Sequence, residues 1–434
     1  MILFFVYRLS TDFSDSFKCT SILYSKLATV VITLENNFCF DSGIFMKDLT
    51  VCREEIDRID NKIIELLSER IDVAKDIAEY KLQNNQKVSD SLREQQKISA
   101  LMEKASAKTL PCSMVSAVFK EIIKHTVAFE QQYIESELNQ KPLSRDTTVA
   151  FLGTIGTYSH LAAQRFVDSY HGKISNLSCD NFENIVGAVE TGKCEYGVLP
   201  IENSSSGSIN QVLDVLQGSK VYIVGELFYP IDHSILASEN VELSEITDIY
   251  SHPQPVQQCS RWLADFLPHA KIHYTKASSE ALENVSKIKD RHSVAIASHN
   301  AAAYYKLIPL HDNIANNTSN FTRFVQISMT PVTVPETIEA KTSIAFRVKK
   351  YEPGSLIAVL NEFSKNDINL TKLVSRPRLS SGEDTWEEIF FADVQGNLSS
   401  AVMQDILENI KAHTSALKVF GCYMNADRIP ENKH

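Results

Sequence analysis

The most constraining feature of the chain is a helical hydrophobic pattern that runs without a break from Leu49 to Leu82. Apolar residues recur there at spacings of three, four and seven and form one stripe: Ile56, Ile63, Leu67, Ala74 and Ile77. A helix of this length measures roughly 50 Å, which is too long for a compact monomer of this size. Such helices normally pack against a partner chain, so we expect a homodimer or a larger assembly.

The bulk properties exclude several classes of protein. A chain of 434 residues predicts two to four domains, and the net charge of -11 argues against nonspecific binding to nucleic acid. No apolar run approaches the roughly 20 residues that span a bilayer, so no membrane association is expected. The eight cysteines are scattered without a CxxC motif, which favours reduced thiols in a cytoplasmic protein without a metal site. Residues 1–45 lack sustained periodicity, so we expect an N-terminal extension that is disordered or not native.

Two further helices and a set of buried cations follow the first helix. Asp90 can cap a second helix that runs to about Lys108, and a third spans about 113–135. Arg70 and Lys81 lie on or beside the apolar stripe, where an unpaired charge is costly, so they need an anion. The anion could be a ligand, or it could be Glu and Asp residues of neighbouring helices. Charged and polar groups that share faces on the other helices are Asp90, Arg93, Glu94, Thr126 and Glu130.

Residues 49–132 resemble the all-helical chorismate mutases at the N-terminus of bifunctional phenylalanine-pathway enzymes. The resemblance rests on Arg-Glu-Glu-Ile-Asp-Arg-Ile-Asp at 53–60, Leu-Ser-Glu-Arg at 67–70 and Tyr-Lys at 80–81. It implies an intertwined dimer that rearranges chorismate to prephenate without a cofactor, with Lys81 donating to the breaking ether oxygen. It also implies the pocket residues, with the first contributed by the other subunit: Arg53, Arg70, Lys81, Asp90, Arg93, Glu94, Thr126 and Glu130. Related enzymes carry Gln or Glu at the position of Glu130.

A second region reads as two α/β lobes around a cleft. A buried strand at 148–152 leads into the glycine loop 153–159, and a second strand leads into the hydroxyl-rich loop 200–209. Each loop opens a helix, and helix N-termini bind anions through free backbone amides. A tight turn and a flexible Ser-rich turn are the plain structural alternatives. Neither a dinucleotide-binding motif nor a P-loop is present.

The pentapeptide at 320–324, Asn-Phe-Thr-Arg-Phe, sets a hydroxyl beside a guanidinium. Neighbouring residues of a strand face opposite ways, so only a strand start or a loop could aim both groups at one ligand. A small acid with a leaving hydroxyl would suit the pair, with Arg323 on the carboxylate and Thr322 on the departing oxygen. A strand that enters a core with one snorkelling arginine is the alternative.

Residues 147–334 resemble prephenate dehydratases. The motifs are Gly-Thr-Ile-Gly-Thr-Tyr-Ser-His (153–160), Pro-Ile-Glu-Asn-Ser-Ser-Ser-Gly (200–207), Ser-His-Pro-Gln (251–254) and the pentapeptide 320–324, in the family's order. The resemblance implies a two-lobed fold like the periplasmic binding proteins, in which Thr322 assists departure of hydroxide from prephenate. It also implies the residues that hold the carboxylates and the carbonyl: Asn203, Ser206, Gln258 and Arg323.

The last region, 341–424, has the element order βαββαβ of a ferredoxin-like α+β unit. It carries no clustered catalytic residues, and it resembles the ACT domains that bind amino acids. The resemblance implies phenylalanine as effector, bound by Gly354, Ser355, Leu356, Ser375 and Arg376. The family usually has Glu before this Ser-Arg-Pro motif, and here the residue is Val374.

The predicted chain therefore comprises an extension (1–45), a mutase (46–139), a dehydratase (146–334) and an ACT regulatory domain (341–424). It would convert chorismate to prephenate and prephenate to phenylpyruvate under feedback by phenylalanine. The competing interpretation is a ligand sensor with a helical dimerisation domain. The Thr322-Arg323 pair and the cations of the first helix favour the enzyme, because a sensor needs neither together.

Overall fold

The computed structural model describes residues 49–88, 90–142, 145–167, 173–349, 352–377 and 387–426, so the predicted extension lies outside it. The helices are α1 (Leu49–Gln83), α2 (Ser91–Ala107), α3 (Cys112–Leu138), α4 (Tyr158–Val167), α5 (Phe182–Glu190), α6 (Asn210–Gly218), α7 (Pro253–Gln258), α8 (Ser260–Phe266), α9 (Ser278–Ile288), α10 (Ala302–Tyr305), α11 (Ser355–Ser364) and α12 (Ala401–Lys411). Among the described residues, no helix combines the length and the apolar character needed to cross a membrane.

Fifteen strands are present in these ranges. They are β1 (Thr147–Leu152), β2 (Ile174–Cys179), β3 (Tyr196–Asn203), β4 (Gly207–Ser208), β5 (Tyr222–Pro230), β6 (Ser234–Ala237), β7 (Asp248–Ser251), β8 (Lys271–Tyr274), β9 (Ser293–Ala297), β10 (Ile308–His311), β11 (Phe321–Ser328), β12 (Ala340–Val348), β13 (Leu370–Pro377), β14 (Glu388–Val394) and β15 (Thr414–Met424).

The three predicted N-terminal helices are present close to their expected bounds. Asp90 is the N-cap of α2, and its carboxylate accepts from the Arg93 backbone N–H at 3.0 Å, as the sequence predicts. The C-terminal part of α1 is buried at Ala74 and Ala78, and its cluster includes Ile134 of α3. Small side chains at these two positions allow α1 to approach its neighbours closely there.

The N-terminal part of α1 behaves differently. Its stripe residues Ile56, Ile63 and Leu67 are 57%, 48% and 37% exposed within one chain. An amphipathic helix gains stability by burying its apolar face, so this exposed face is available for a partner.

The second region contains two sheets. The first sheet has the order β2-β1-β3-β11-β5, with β4 beside β3, and the second has the order β10-β6-β9-β7-β8. Strands β1, β2 and β3 are parallel, whereas β11 runs antiparallel to both of its neighbours. The chain passes from the first sheet to the second between β5 and β6 and returns between β10 and β11. Two crossings between two sheets give the two-lobed arrangement that the sequence indicates.

The C-terminal region has the predicted βαββαβ order, and its four antiparallel strands lie in the order β13-β14-β12-β15. This third sheet packs on the back of the first, and the apolar cluster between them contains Phe391, Phe420 and Tyr423. Gly421 permits the approach, because a Cβ there would lie 2.1 Å from the carbonyl oxygen of Ile223 in β5. The third sheet therefore touches the backbone of the first sheet directly.

Candidate active sites

In the helical region, two of the predicted cations, Arg70 and Lys81, contact side chains of α3. Lys81 Nζ donates to Glu130 Oε2 at 2.6 Å and to the Val88 carbonyl oxygen at 2.7 Å. Arg70 Nε donates to Thr126 Oγ1 at 3.1 Å, and Thr126 in turn donates to the Ile122 carbonyl oxygen. Glu130 and Thr126 are buried, so the four side chains form one polar cluster within an apolar bundle.

This cluster retains capacity for an anion. Within the described residues, the two terminal nitrogens of the Arg70 guanidinium have no hydrogen-bond partner, while Nε is held by Thr126. A guanidinium fixed at one nitrogen presents its remaining donors in a rigid fork that suits a carboxylate. The interhelical ion pair considered for these cations exists for Lys81 with Glu130.

The remaining predicted mutase residues have more modest surroundings. Asp90 acts as the helix cap described above, Arg93 is exposed, and Glu94 is half-buried in the first turn of α2. Arg53 is exposed on the N-terminal part of α1, which forms a separate compact unit of the chain. These four residues therefore keep their predicted pocket roles as predictions.

A hydroxyl and an amide occupy one end of the first sheet. Thr322 lies in β11 in register with Asn203 of β3, and Asn203 Nδ2 donates to Thr322 Oγ1 at 3.0 Å. The orientation of this amide is determined, because Asn203 Oδ1 accepts from the backbone N–H groups of Ser205 and Ser206 at 2.9 and 3.0 Å. The Ser206 hydroxyl adds a contact of 3.3 Å to the same oxygen. Ser206 thus supports Asn203 in this structure.

The determined amide orientation also decides what Thr322 can do. Since the Asn203 amide donates to Oγ1, the hydroxyl hydrogen of Thr322 stays available, and it has no acceptor among the described residues. Thr322 is only 8% exposed, so a group that reaches it is largely removed from water. The hydroxyl can therefore serve as a directed hydrogen-bond donor in a protected position.

Gln258 is the last residue of α7, the helix that follows β7 of the second sheet. Its Oε1 lies 2.7 Å from Nε2 of His233, whose Nδ1 lies 3.1 Å from the hydroxyl of Tyr158. Burial lowers the pKa of His233 and raises the pKa of Tyr158 well above its ordinary value, so both groups are neutral near pH 7. His233 and Tyr158 were not among the residues predicted from sequence, although Tyr158 falls inside the glycine-loop motif.

Arg323 points away from Thr322. The residue lies within β11, one position after Thr322, and strand alternation sends its side chain to the opposite face of the sheet. Its guanidinium donates to Glu226 at 2.7 Å, Asp393 at 2.5 Å and the Tyr423 hydroxyl at 3.0 Å. These buried partners engage Nε and both terminal nitrogens, so this geometry does not support the predicted role of Arg323 on a substrate carboxylate, which stays a prediction.

The buried charges around Arg323 form a network between the first and third sheets. Burial alone would lower the pKa of Arg323, but Asp393, Tyr423 and Glu226 raise it above its ordinary value. For Asp393 the directions are reversed: burial alone would raise its pKa, but the facing Arg323 guanidinium lowers the pKa below its ordinary value. Lys341 of β12 donates to the other oxygen of Glu226 at 2.6 Å. The network is stabilising only while every charge keeps its partner.

The glycine loop also differs from expectation. Its amides at Gly153, Gly156 and Thr157 donate to Cys179 O, His160 Nδ1 and Thr154 O respectively. These three amides are therefore engaged within the protein, and the anion expected at the start of the helix stays a prediction. The loop instead reaches the second lobe, where Thr154 Oγ1 donates to Ser279 Oγ at 2.7 Å.

The predicted effector residues lie at two places in the third sheet's domain. Gly354, with φ of +91°, precedes the N-terminus of α11, where Ser355 and Leu356 begin the helix. Arg376 of β13 binds both carboxylate oxygens of Asp214 in α6, at 3.0 and 2.6 Å, whereas Ser375 beside it is exposed. The guanidinium predicted to bind an effector is thus paired with the helix that follows the Asn203 loop.

Comparisons with known proteins match two families to separate parts of the chain. The family described as prephenate dehydratase matches residues 149–331, and the family described as chorismate mutase type II matches residues 52–131. A bifunctional chorismate mutase/prephenate dehydratase of Buchnera aphidicola subsp. Acyrthosiphon pisum is 37% identical over 382 residues, which cover 88% of this chain and 98% of that protein.

Solved structures match about two thirds of the chain. The prephenate dehydratase of Arthrobacter aurescens in complex with L-Phe has a TM-score of 0.58 at 26% identity, over 65% of this chain and 92% of that chain. A protein described as a novel type of quorum quenching acylase has a TM-score of 0.57 at 26% identity, over 64% and 98% of the two chains.

Proposed function

The chain belongs to the bifunctional chorismate mutase/prephenate dehydratases, and from that premise we propose how its residues divide the two reactions. The protein converts chorismate to prephenate and prephenate to phenylpyruvate in phenylalanine biosynthesis. We assign the first reaction to a domain at 46–139 and the second to a domain at 146–334. One observation supports Thr322 as the residue that acts on prephenate. The Asn203 amide nitrogen donates to Thr322 Oγ1, so the hydroxyl hydrogen of Thr322 is left for the substrate.

The mutase step is a rearrangement, so the enzyme must hold a dicarboxylate compactly and stabilise negative charge on the breaking ether oxygen. We assign Lys81 Nζ to that oxygen, because it stands at the buried end of the polar cluster beside Glu130. The open donors of Arg70 would bind one carboxylate. Asp90, Arg93, Glu94 and Thr126 complete the proposed pocket.

A dimer follows from the same proposal. The exposed apolar stripe of α1, with Ile56 and Ile63, supports a second copy of the chain packed along this helix. In such an intertwined dimer, the exposed Arg53 of one subunit would reach the pocket of the other. Analytical ultracentrifugation would test this part, since a monomer at micromolar concentration contradicts it.

Glu130→Gln is expected to retain the mutase activity, because the glutamine amide oxygen can accept from Lys81, as the Glu130 carboxylate does at 2.6 Å, and the amide nitrogen can donate to a substrate. Initial rates of chorismate disappearance would measure the effect for both proteins. Loss of the mutase activity in the glutamine variant would remove the proposed role from this position.

In the dehydratase step, the ring carboxylate leaves as carbon dioxide, and its bonding electrons enter the ring as the C–O bond to the hydroxyl breaks. Aromatisation drives the reaction, so hydrogen bonding to the departing oxygen is sufficient assistance. We assign that hydrogen bond to Thr322, which Asn203 positions, and the binding of substrate oxygens to Asn203, Ser206 and Gln258.

For the region 341–424 we propose an ACT domain that binds phenylalanine. Its ferredoxin-like topology and the L-Phe complex of the Arthrobacter aurescens protein support this proposal. Arg376 of the effector motif pairs with Asp214 of α6. Lys418 of β15 also donates to three carbonyl oxygens at the end of α6, those of Leu216, Gln217 and Ser219. Helix α6 follows the loop that carries Asn203, so an effector has a physical route to the site.

Phenylalanine is therefore expected to lower the dehydratase rate at up to millimolar concentration, and D-phenylalanine is expected to have little effect. The expected response is reduced relative to relatives with Glu at the position of Val374, because an apolar side chain cannot pair with an ammonium group. A titration of phenylpyruvate formation with each enantiomer measures it. The absence of any response to L-phenylalanine would leave the domain with a structural role only.

The direct test of both reactions is to mix the protein with chorismate and follow phenylpyruvate by its absorbance in alkali. Prephenate should appear first and phenylpyruvate after it. A protein that binds chorismate or prephenate without forming either product would be a sensor, and that outcome would overturn the assignment of chemistry.

A further inference from the structure

We propose that the Asn320 amide nitrogen is a second hydrogen-bond donor to the oxygen that leaves prephenate, beside the hydroxyl of Thr322. The inference rests on the proposed function of Thr322 and goes beyond it by adding a residue that contacts the substrate. Asn320 immediately precedes β11 and stands two positions before Thr322, so the alternation of the strand sends both side chains to the same side.

One nitrogen atom contacts both side chains. Asn203 Nδ2 donates to Asn320 Oδ1 at 2.9 Å and to Thr322 Oγ1 at 3.0 Å, and the Phe321 carbonyl oxygen at 3.2 Å is a third acceptor for its two hydrogens. Because both side-chain oxygens lie within hydrogen-bond distance of the same atom, the two side chains are immediate neighbours. A substrate group that reaches the Thr322 hydroxyl therefore lies beside the Asn320 amide.

The orientation of the Asn320 amide follows from the orientation of Asn203. Asn203 Oδ1 accepts from the backbone N–H groups of Ser205 and Ser206, so Nδ2 is the end that faces Asn320. An amide nitrogen can only donate, so the Asn320 atom that faces it is the carbonyl oxygen. The hydroxyl oxygens of Ser205 and Ser204 lie 3.3 and 3.4 Å from this same oxygen. The donors around Asn320 thus engage its oxygen and leave its nitrogen.

The Asn320 nitrogen is an unused donor that a ligand can reach. The residue is only 4% exposed, and its backbone carbonyl oxygen accepts from the Ile231 N–H at 2.8 Å, so its position is fixed. Among the described residues, Nδ2 has no hydrogen-bond partner, and it is not one of the unpaired polar atoms that are wholly enclosed. Nearly buried polar groups are normally hydrogen-bonded, so this nitrogen is available for a bound substrate.

The chemistry of the reaction assigns this donor to the departing oxygen. As carbon dioxide forms, the bonding pair of the ring carboxylate enters the ring, and the electron pair of the breaking C–O bond leaves with the hydroxide. A hydrogen bond to the carboxylate would weaken as its charge is lost, whereas a hydrogen bond to the departing oxygen strengthens as charge develops there. Only the second arrangement accelerates the reaction, and it places the Asn320 and Thr322 donors on one oxygen.

Two variants of the full-length protein test the proposal. Asn320→Asp keeps an acceptor for Asn203 Nδ2 but removes the donor, and Asn320→Leu removes both groups without adding a charge. Each variant is expected to lower kcat for prephenate by about 10–100-fold, the loss of one hydrogen bond to a charged group. The rate of chorismate disappearance should stay within about twofold of the wild type in both, which shows that the variants are folded.

Asn317→Asp is the matched control. Asn317 Oδ1 also accepts from a backbone N–H, that of Ser319 at 3.0 Å, but the Asn317 side chain is exposed. The substitution adds the same charge to the same segment of the chain, and kcat should stay within about twofold of the wild type.

The outcomes separate the proposed contact from other roles. If Asn320 only positions Asn203, the aspartate variant keeps the wild-type kcat, and the inference is overturned. If the aspartate acts only by repelling a dicarboxylate, the KM rises in that variant while the leucine variant keeps the wild-type kcat, which also overturns it. An equal loss in the Asn317 control would do the same. A wild-type protein that forms no phenylpyruvate would instead overturn the proposed function and this inference together.

Discussion

Replacing Thr322 with alanine is expected to lower the rate of phenylpyruvate formation by about 10²–10³-fold, the usual cost of removing one donor aimed at developing negative charge. The Thr322 hydroxyl is buried, receives the Asn203 amide at 3.0 Å and keeps its own hydrogen for the substrate. Alanine removes that donor, and water cannot easily replace it in a position that is 8% exposed. Prephenate should therefore accumulate from chorismate.

Two comparisons sharpen this experiment. Thr322→Ser keeps a hydroxyl within reach of Asn203 and should retain most of the dehydratase activity. The rate of chorismate disappearance should stay within about twofold of the wild type in both variants, since the mutase cluster lies on α1 and α3. Loss of both products in the alanine variant would mean that the two activities are assigned to the wrong regions.

Replacing Arg323 with methionine is expected to destabilise the protein by about 3–5 kcal/mol, because it leaves the buried carboxylates of Glu226 and Asp393 without their shared cation. For a folding unit of this size, the thermal midpoint should fall on the order of 10 °C. The KM for prephenate should change little below the unfolding temperature, because the guanidinium faces the third sheet.

The matched control for this prediction is Arg291, which pairs with Glu245 at a similar distance of 2.7 Å but with both side chains substantially exposed. Arg291→Met should cost less than about 1 kcal/mol, since exposed ion pairs contribute little. A large increase in the KM of the Arg323 variant with an unchanged thermal midpoint would return Arg323 to the substrate and contradict its placement here.

The motif at 320–324 predicts the position of Thr322 better than that of Arg323. The motif indicates the Thr322 hydroxyl, which lies buried beside the Asn203 amide in the structure. The same motif suggested that both side chains meet one ligand, which requires a strand start or loop. Strand β11 begins at Phe321, so both residues lie within it and point to opposite faces.

The glycine loop and His233 are two more cases in which the sequence does not reveal a residue's hydrogen-bond partners. The loop has the composition of an anion site, yet three of its amides, at Gly153, Gly156 and Thr157, donate to Cys179, His160 and Thr154. No sequence motif marks His233, because the side chains that its ring contacts belong to Tyr158 and Gln258, which are 75 and 25 residues away. Composition describes which bonds a segment can make, and packing selects the partner.

What the sequence by itself determined is the local architecture: the long α1 helix, the Asp90 cap, the alternation of strands and helices, and the βαββαβ order at the C-terminus. Periodicity and capping depend on residues a few positions apart, so they can be read along the chain. Only the tertiary structure decided that Arg323 belongs to Glu226, Asp393 and Tyr423, which are 97, 70 and 100 residues away. A buried charge must find an opposite charge somewhere, and the packing of the third sheet on the first places it there.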